Sequence, residues 1–151
     1  MAGESKAVYK GKVTLGTASI LGMGSWSHSG QGRAMLDDTT LGDSVSRYFP
    51  DILEGGKITV SGNFKKDDVT GHSTLLSAMF NESGIGNIRL YVDATSYFTP
   101  NDTTGANWVL PAGLPVSQVY VESYDVDFSG PKGALGKFTA TFAVDGIMTL
   151  K

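Results

Sequence analysis

The stretch KITVSGNFKKDDVTGHSTLLSAMF, residues 57–80, changes its hydrophobic period half-way along and thereby decides the fold class. In its first part, Ile58, Val60 and Phe64 share one side of an alternation, and polar residues dominate the other side. An alternation of period two predicts a strand with one buried and one solvated face. We therefore expect a strand over this part, followed by an acidic turn.

The second part of the stretch is the segment that carries helical spacing, and it predicts a helix over about Val69–Phe80. Asp68 or Thr70 is expected to cap this helix, because short oxygen-bearing side chains accept hydrogen bonds from the free N–H groups of a first turn. Gly84 is a suitable stop signal. The apolar residues expected on the buried face of the helix are Val69, Leu76, Met79 and Phe80.

Strand patterns dominate the rest of the chain. Glycine accounts for 20 of the 151 residues, roughly twice average usage, and it weakens helix interiors while permitting turns. The predicted strand segments are residues 6–17, 19–29, 87–98, 116–129 and 136–150. We therefore predict a single domain over residues 1–151 that is mainly β: an antiparallel β-sandwich or barrel-forming sheet with one flanking α-helix and long assembly loops.

Two segments, residues 30–56 and 99–113, show no sustained periodicity and are longer than the connections of a compact β domain. Both contain large apolar residues, such as Tyr48, Phe49 and Trp108, in which disordered segments are poor. We predict long loops that cover an apolar surface, either of their own domain or of a neighbouring copy.

Asp67, Asp68 and His72 form the densest group of potential metal ligands. A zinc site needs three or four ligands, and the chain offers two histidines and no cysteine. The turn explains the same residues, since Asp68 can cap the helix and Asp67 interacts favourably with its N-terminus. The sequence therefore favours a structural role for this group and predicts neither a metal nor a cofactor.

Catalytic patterns are equally weak. His28 lies among serines in SWSHSG, but no G-x-S-x-G elbow surrounds it. The glycines of GMGSWSHSGQG lack the Lys-Ser/Thr pair and the helix of a phosphate loop. Asp125 and Asp127 share a strand face and leave a glycoside hydrolase open as an alternative. Solvated strand faces are commoner than catalytic ones, so we predict no enzyme and no catalytic residue.

Several motifs occur in a characteristic order along nearly the whole chain. A serine- and glycine-rich strand with a tryptophan, SILGMGSWSHSG, precedes LDDTTLGDS and then PDILEGG. The strand KITVSGNF, the acidic turn and the short helix follow, and GKFTATFAVDGIM closes the chain. In this order the chain resembles the major tail tube proteins of long-tailed, lambda-like bacteriophages.

The resemblance implies a structural virion protein of the phage tail, made in the host bacterial cytoplasm. Such proteins form hexameric rings that stack into a hollow tube, which conducts double-stranded DNA from capsid to host. Their other partners are tape measure, terminator and tail-tip proteins. The resemblance implies no catalysis and no cofactor. No apolar run approaches the ~20 residues of a membrane helix, so no membrane partner is expected.

The resemblance also implies site residues, because the long loop after the early strands makes contacts between rings in this family. The inter-ring candidates are Leu36, Asp37, Asp38, Arg47, Tyr48, Phe49, Pro50, Asp51, Ile52, Leu53 and Glu54. Acidic strand residues would not hold DNA in a lumen, since carboxylates lack the counterion-release attraction of lysines. The lumen candidates are Asp93, Asp125, Asp127 and Asp145.

Two alternatives stay open. The same fold builds the inner tubes of contractile tails and of injection or secretion machines. A carbohydrate-binding β-sandwich is also conceivable, with Trp26 and Trp108 as sugar platforms, although such aromatic residues are more often core or interface. The formal net charge of −3 argues against a general affinity for nucleic acid.

Overall fold

The computed structural model describes residues 12–15, 18–19, 23–64, 71–102, 114 and 116–151. Within these ranges the chain is mainly β-structure, with one helix, α1 (His72–Phe80). The strands are β1 (Val13–Leu15), β2 (Ala18–Ser19), β3 (Met23–Ser29), β4 (Gly32–Asp37), β5 (Tyr48–Glu54), β6 (Lys57–Asn63), β7 (Ile88–Tyr91), β8 (Tyr97–Pro100), β9 (Gln118–Asp127), β10 (Lys137–Asp145) and β11 (Met148–Leu150).

The strands form three antiparallel sheets. One has five strands in the order β11-β8-β7-β1-β2, one has four in the order β3-β6-β10-β9, and one consists of β4 and β5 alone. Every pairing between the described strands is antiparallel, and none of these sheets closes into a barrel. The predicted class, mainly antiparallel β with a flanking helix, is confirmed.

The five-stranded and four-stranded sheets share one hydrophobic core. Ile58 and Val60 of β6 are fully buried, as the alternation predicted, and lie opposite Phe142 and Ala140 of β10. The five-stranded sheet contributes buried side chains from β1, β7 and β11 to the same cluster. Trp26 joins the two sheets, because its indole N–H donates to the carbonyl oxygen of Tyr91 over 3.1 Å. The strand predicted from the alternation, β6, is therefore an inner strand of the four-stranded sheet and packs on the core.

The helix closes this core with a face that matches the prediction in part, since Met79 packs against the core. Its buried residues are His72, Leu75 and Ala78, whereas Phe80 is 75% exposed. The side of the helix that faces the core includes His72. Its hydrogen bond to the Tyr124 hydroxyl allows this polar side chain to be buried. The other helix predictions, the buried Val69 and the caps Asp68 and Thr70, fall on residues that lie outside the described part of the chain.

The helix ends at Phe80, as predicted, but Gly84 does not form the stop. Glu82 has a positive φ of 55°, and the N–H of Ser83 donates to the carbonyl oxygen of Ala78. The N–H of Glu82 donates to the carbonyl of Met79, which completes a Schellman motif. Glutamate thus occupies the left-handed position in which glycine is usual, and Gly84 lies beyond the end of the motif.

The segment 30–56, predicted as a loop without periodicity, is a β-hairpin. Its strands β4 and β5 pair with Leu36 opposite Phe49 and Asp37 opposite Tyr48. Apolar residues stand next to one another in both strands, so no alternation is visible in the sequence. The physical reason is exposure: both faces of this hairpin are in solvent, and neither selects for a buried side.

Candidate functional site

The hairpin of residues 32–54, here called the arm, continues the strand pair β3–β6 beyond the domain. Ser29 pairs with Lys57 at the end of the four-stranded sheet, and Gly32 pairs with Glu54 at the start of the arm. The arm is therefore the distal half of one long hairpin, and its strands are anchored in the core by their proximal halves.

Glycines separate the two halves on both strands. Gly30 and Gly56 have positive φ angles of 81° and 79°, a conformation that glycine adopts without strain. A Cβ atom at Gly56 would collide with the carbonyl oxygen of Ser29. The imidazole Nε2 of His28 donates to the carbonyl oxygen of Gly55 over 2.7 Å. These contacts fix the bend, and they give His28 a structural partner rather than a catalytic one.

The arm exposes a large apolar surface. Its large exposed apolar residues are Met35, Leu36, Leu41, Val45, Tyr48, Phe49 and Ile52. Ile52, for example, is 77% exposed although it lies in the middle of a strand. Large apolar side chains exposed together on one element are typical of an interaction surface. The arm is thus the most conspicuous candidate for a contact surface in the described part of the chain.

All the residues that the resemblance assigned to ring-to-ring contacts lie on the arm. Leu36 and Asp37 end β4, Asp38 follows them, and Arg47 precedes β5. The remaining seven predicted residues form β5 itself. Every one of them except Leu53 is exposed. The structure therefore brings this predicted set together on one element, and its role in assembly stays a prediction.

The tip of the arm is held by its own hydrogen bonds. The N–H of Asp38 donates to the carbonyl of Arg47 over 2.8 Å, and the N–H of Arg47 donates to the Thr39 hydroxyl over 2.8 Å. The N–H of Thr39 donates to the Asp37 carboxylate. Hydrogen bonds from the side chain and backbone of Thr39 lower the pKa of Asp37 below its model-compound value of 3.8. The arm thus presents its apolar residues on an ordered frame.

The outer face of the four-stranded sheet is rich in hydroxyl groups. Since side chains alternate along strands, the burial of one face by Ile58, Val60 and Phe142 assigns their neighbours to the other. Paired positions across the strands give the residues of this face, here called the hydroxyl face: Ser25, Ser27, Ser29, Thr59, Ser61, Ser123, Thr139 and Thr141. Ser25 and Ser61 are joined by a hydrogen bond of 3.0 Å.

Three of the four lumen candidates lie on this hydroxyl face. Asp125 pairs with Thr139, Asp127 with Lys137, and Asp145 with Gln118, and all three carboxylates are exposed. Hydrogen bonds from the Ser129 side chain and backbone lower the pKa of Asp127 below its model-compound value of 3.8. The three residues therefore form one acidic set on a sheet face.

The fourth lumen candidate, Asp93, lies apart from the other three. It sits in the turn between β7 and β8 of the five-stranded sheet, where it accepts hydrogen bonds from the N–H groups of Thr95 and Ser96 over 2.9 and 2.6 Å. An aspartate that accepts from the residues two and three positions further on stabilises a turn. Asp93 is therefore a turn residue, and the structure does not join it to the acidic set.

The basic groups of the hydroxyl face have partners. Lys57 forms an ion pair of 2.8 Å with Glu122 across the sheet. Lys137 donates to the side-chain oxygen of Asn63 over 3.3 Å. With Glu122, four carboxylates stand against two ammonium groups, so the face is weakly acidic. Sequence reasoning found the carboxylates but missed the hydroxyl groups, although serine and threonine recur at alternate positions in these strands.

Of the potential metal ligands Asp67, Asp68 and His72, the structure describes His72 alone. His72 is buried, its Nδ1 lies 2.6 Å from the Tyr124 hydroxyl, and its ring packs edge-on against Phe138 at 4.5 Å. It is a core residue rather than a residue of a solvated turn. Asp67 and Asp68 lie outside the described residues. In the part of the chain that is described, no three His, Asp or Glu side chains gather closely enough to hold a metal ion.

No helix in the described ranges is long and apolar enough to cross a membrane. Trp26, one of the two aromatic residues suggested as a sugar platform, is half-buried and packs edge-on against Phe98 with 6.1 Å between ring centres. Its indole is therefore a core side chain. Trp108 lies outside the described residues.

No protein-family model and no curated protein matches the sequence. Solved structures do share its fold. A chain of the anti-feeding prophage cap, a tube-terminating cap, is 13% identical with a TM-score of 0.62 and covers 100% of this chain and 93% of its own length. A chain of the sheath/tube terminator of an extracellular contractile injection system is 14% identical, also with a TM-score of 0.62, and covers 100% and 99%.

A third similar structure is the tail of an empty gene transfer agent particle, determined with C6 symmetry. Its chain is 12% identical with a TM-score of 0.62 and covers 88% of this chain and 84% of its own. The fold is thus one found in tail and tube components. The resemblance drawn from the sequence motifs is confirmed at the level of the fold.

Proposed function

We propose that this protein is a structural tail tube subunit that assembles into hexameric rings, which stack into a hollow tube. The observation that carries the proposal is the arm: an ordered hairpin that exposes seven large apolar side chains to solvent. A free domain gains nothing from that surface, because each such side chain stabilises by about 1.5–3 kcal/mol only when it is buried. A second copy of the chain supplies the burial.

The fold supports the same proposal. It recurs in tail and tube components, and the gene transfer agent tail was determined with C6 symmetry. Strands β3 and β9 are the edges of the four-stranded sheet. Pairing these edges between neighbouring copies removes unpaired backbone groups and continues the sheet around a ring. In such a ring the hydroxyl face lines the lumen.

A weakly acidic wall of hydroxyl groups suits the passage of double-stranded DNA. Carboxylates such as Asp125 and Asp127 do not release counterions from DNA, so the polymer is not retained by the wall. Serine and threonine offer short polar groups that water also satisfies. We therefore assign Asp125, Asp127 and Asp145 to the lumen and leave Asp93 out of it. The protein acts without catalysis, in the virion, after synthesis in the host bacterial cytoplasm.

Electron microscopy of the purified protein at rising concentration tests the proposal. We expect rings or hollow tubes from the native chain, and loss of tubes when Phe49 and Ile52 are both replaced by serine. Phe80→Ser is the matched control, because Phe80 is as exposed as Ile52 but lies on the helix. A native chain that stays monomeric at every concentration, and binds glycans instead, would replace the proposal by the carbohydrate-binding alternative.

The comparisons favour one second candidate, a protein that terminates a tube. Two of the similar structures are a tube-terminating cap and a sheath/tube terminator, and both are covered almost completely. A terminator would form single rings that bind the end of a preformed tube and do not stack on one another. The same microscopy separates the two candidates, since a tube subunit stacks without a template. The inner tube of a contractile tail or injection machine remains a variant of the first candidate.

A further inference from the structure

The end of the four-stranded sheet opposite to the arm carries a second exposed apolar surface. It consists of the exposed residues Val126, Phe128 and Leu135, with the half-buried Phe64 at its border, and is here called the turn patch. Phe128 is 63% exposed and Leu135 is 68% exposed. Phe64 and Phe128 meet edge to face with 5.4 Å between ring centres. The patch surrounds the connection between β9 and β10.

The turn patch is ordered by the backbone beneath it. The ring of Phe128 lies directly over Gly136, where a Cβ atom would collide with it. The N–H of Ala134 donates to the carbonyl oxygen of Pro131 over 2.9 Å, which closes the connection. Asp127 caps the same connection by accepting hydrogen bonds from Ser129. The exposed ring of Phe128, and the ring of Phe64 beside it, are therefore held by an ordered turn.

The arm and the turn patch lie at opposite ends of the same strands. The arm leaves where Ser29 pairs with Lys57, and the patch lies beyond the pair of Asn63 and Lys137. Lys57 and Asn63, at the two ends of β6, are about 20 Å apart at the usual rise of a β-strand. Two different apolar surfaces at opposite ends of one subunit are what head-to-tail stacking requires.

The two surfaces also carry opposite charge. The arm contains five acidic residues and two arginines, so its formal net charge is −3. Residues 126–137, around the turn patch, contain Lys132, Lys137 and one acidic residue, Asp127, so their formal net charge is +1. Opposite charges around two apolar centres steer their encounter and fix their register.

We infer that the turn patch is the surface that receives the arm of a second copy of this chain. The inference rests on the proposed tube function, in which one ring passes its arms to the next. Ile52 and its exposed neighbours on β5 cover Phe128 and Leu135 of the adjoining copy, and the lysines of the turn meet the carboxylates of the arm. A different tail protein at this patch is an outcome of the test below.

The absence of cysteine from the chain provides a clean background for a cross-linking test. Ile52→Cys and Leu135→Cys variants, one of them extended by an affinity tag, are mixed under assembly conditions and then oxidised. We expect disulfide-linked pairs that join the tagged chain to the untagged one. Phe80→Cys, mixed with Ile52→Cys, is the control for chance encounters, because Phe80 is comparably exposed.

A second measurement guards against a distortion by the cysteines. Leu135→Asp should raise the concentration at which tubes form by about tenfold or more, because an apolar contact is replaced by a carboxylate facing an acidic arm. If tubes form without the mixed disulfide and Leu135→Asp assembles normally, the turn patch does not receive the arm. The proposed tube function would still stand. That result would direct the search for the occupant of the patch to other tail proteins. A native chain that forms no rings or tubes would remove both proposals.

Discussion

The proximal and distal halves of the long hairpin use the same strand pairing for opposite purposes. In the proximal half, β3 and β6 lie between solvent and core, and β6 buries Ile58 and Val60 completely. In the distal half, β4 and β5 expose nearly every side chain, including Phe49 and Ile52. The exposed strands β4 and β5 are the more apolar pair, whereas β3 and β6 are rich in serine, threonine and glycine, so an apolar composition does not by itself identify the strands that build the core.

This contrast shows where the stability of each half comes from. The proximal half belongs to a sheet with a buried face, whereas an isolated two-stranded hairpin is marginally stable in water. The hydrogen bonds of the tip hold the distal half in shape, and its apolar residues contribute free energy only when another surface covers them. The hairpin is thus stabilised by a buried core at one end and exposes its apolar residues at the other.

The largest predicted difference between the halves concerns apolar truncation. Phe142→Ala, beneath the proximal half, should lower the free energy of unfolding by about 3–5 kcal/mol, because it leaves a cavity in the core. Ile52→Ala, in the arm, should change it by less than about 0.5 kcal/mol. Urea unfolding of the monomer measures both. A large loss for Ile52→Ala would mean that the arm packs on its own domain.

The second largest effect is expected for a substitution in the bend between the two halves of the hairpin. Gly56→Ala introduces a Cβ where the Ser29 carbonyl lies and forces a residue with a side chain to a positive φ, so it should cost about 1–3 kcal/mol. Gly32→Ala is the matched control, since no atom lies near its Cβ position and its φ is not positive. Thermal unfolding compares the two. Equal costs would indicate that the bend is not fixed by this contact.

A smaller loss is expected where His28 anchors the bend. His28→Ala removes the hydrogen bond from Nε2 to the Gly55 carbonyl and should cost about 1 kcal/mol. Faster amide hydrogen exchange should follow near the bend and in the arm, while β10 keeps its protection. If exchange rises uniformly over the sheet, the residue supports the whole fold rather than the junction of the two halves.

The smallest predicted effect concerns the pKa of Asp37 at the tip of the arm. Hydrogen bonds from Thr39 hold the pKa of Asp37 below 3.8 in the folded chain. The stabilisation from the ionised carboxylate is therefore present above pH 3.8 and disappears as the pH falls through the lower, folded pKa. Thr39→Val should raise the pKa of Asp37 in an NMR titration. Asp127, whose partner is Ser129, is the internal control and should not move.

The proximal half could be predicted from the sequence because one of its faces is buried, and apolar and polar residues therefore alternate along β6. Ile58 and Val60 are separated by polar residues, and one face of β6 is indeed buried. The arm left no such signal, since neither of its faces is selected for burial. Its strands therefore appeared as a loop in the sequence, and the role of its residues in contacts between rings stays a prediction.

The helix and the sheet face illustrate two further limits. The helix was predicted, and Met79 packs against the core as expected, whereas Phe80 is exposed. The burial of His72 was not predicted, because its hydrogen-bond partner, Tyr124, is 52 positions away. The acidic residues of β9 and β10 were placed on strands correctly. Asp125 and Asp127 were also expected to share a face from their spacing. That Asp145 lies on the same face depends on the pairing of the strands and on the irregularity between Thr141 and Phe142, and neither is visible in a single sequence.

The continuity of the arm with β6 also has a mechanical consequence. If neighbouring rings hold each other through their arms, tension along the tube enters the domain through the strand axes. Strand β6 is paired with β10 at seven consecutive positions. A pull parallel to these strands loads all the hydrogen bonds of the ladder together, in shear, whereas a sideways pull would open them one after another. In the proposed tube, a subunit pulled through its arm would therefore resist force best along the axes of β6 and β10.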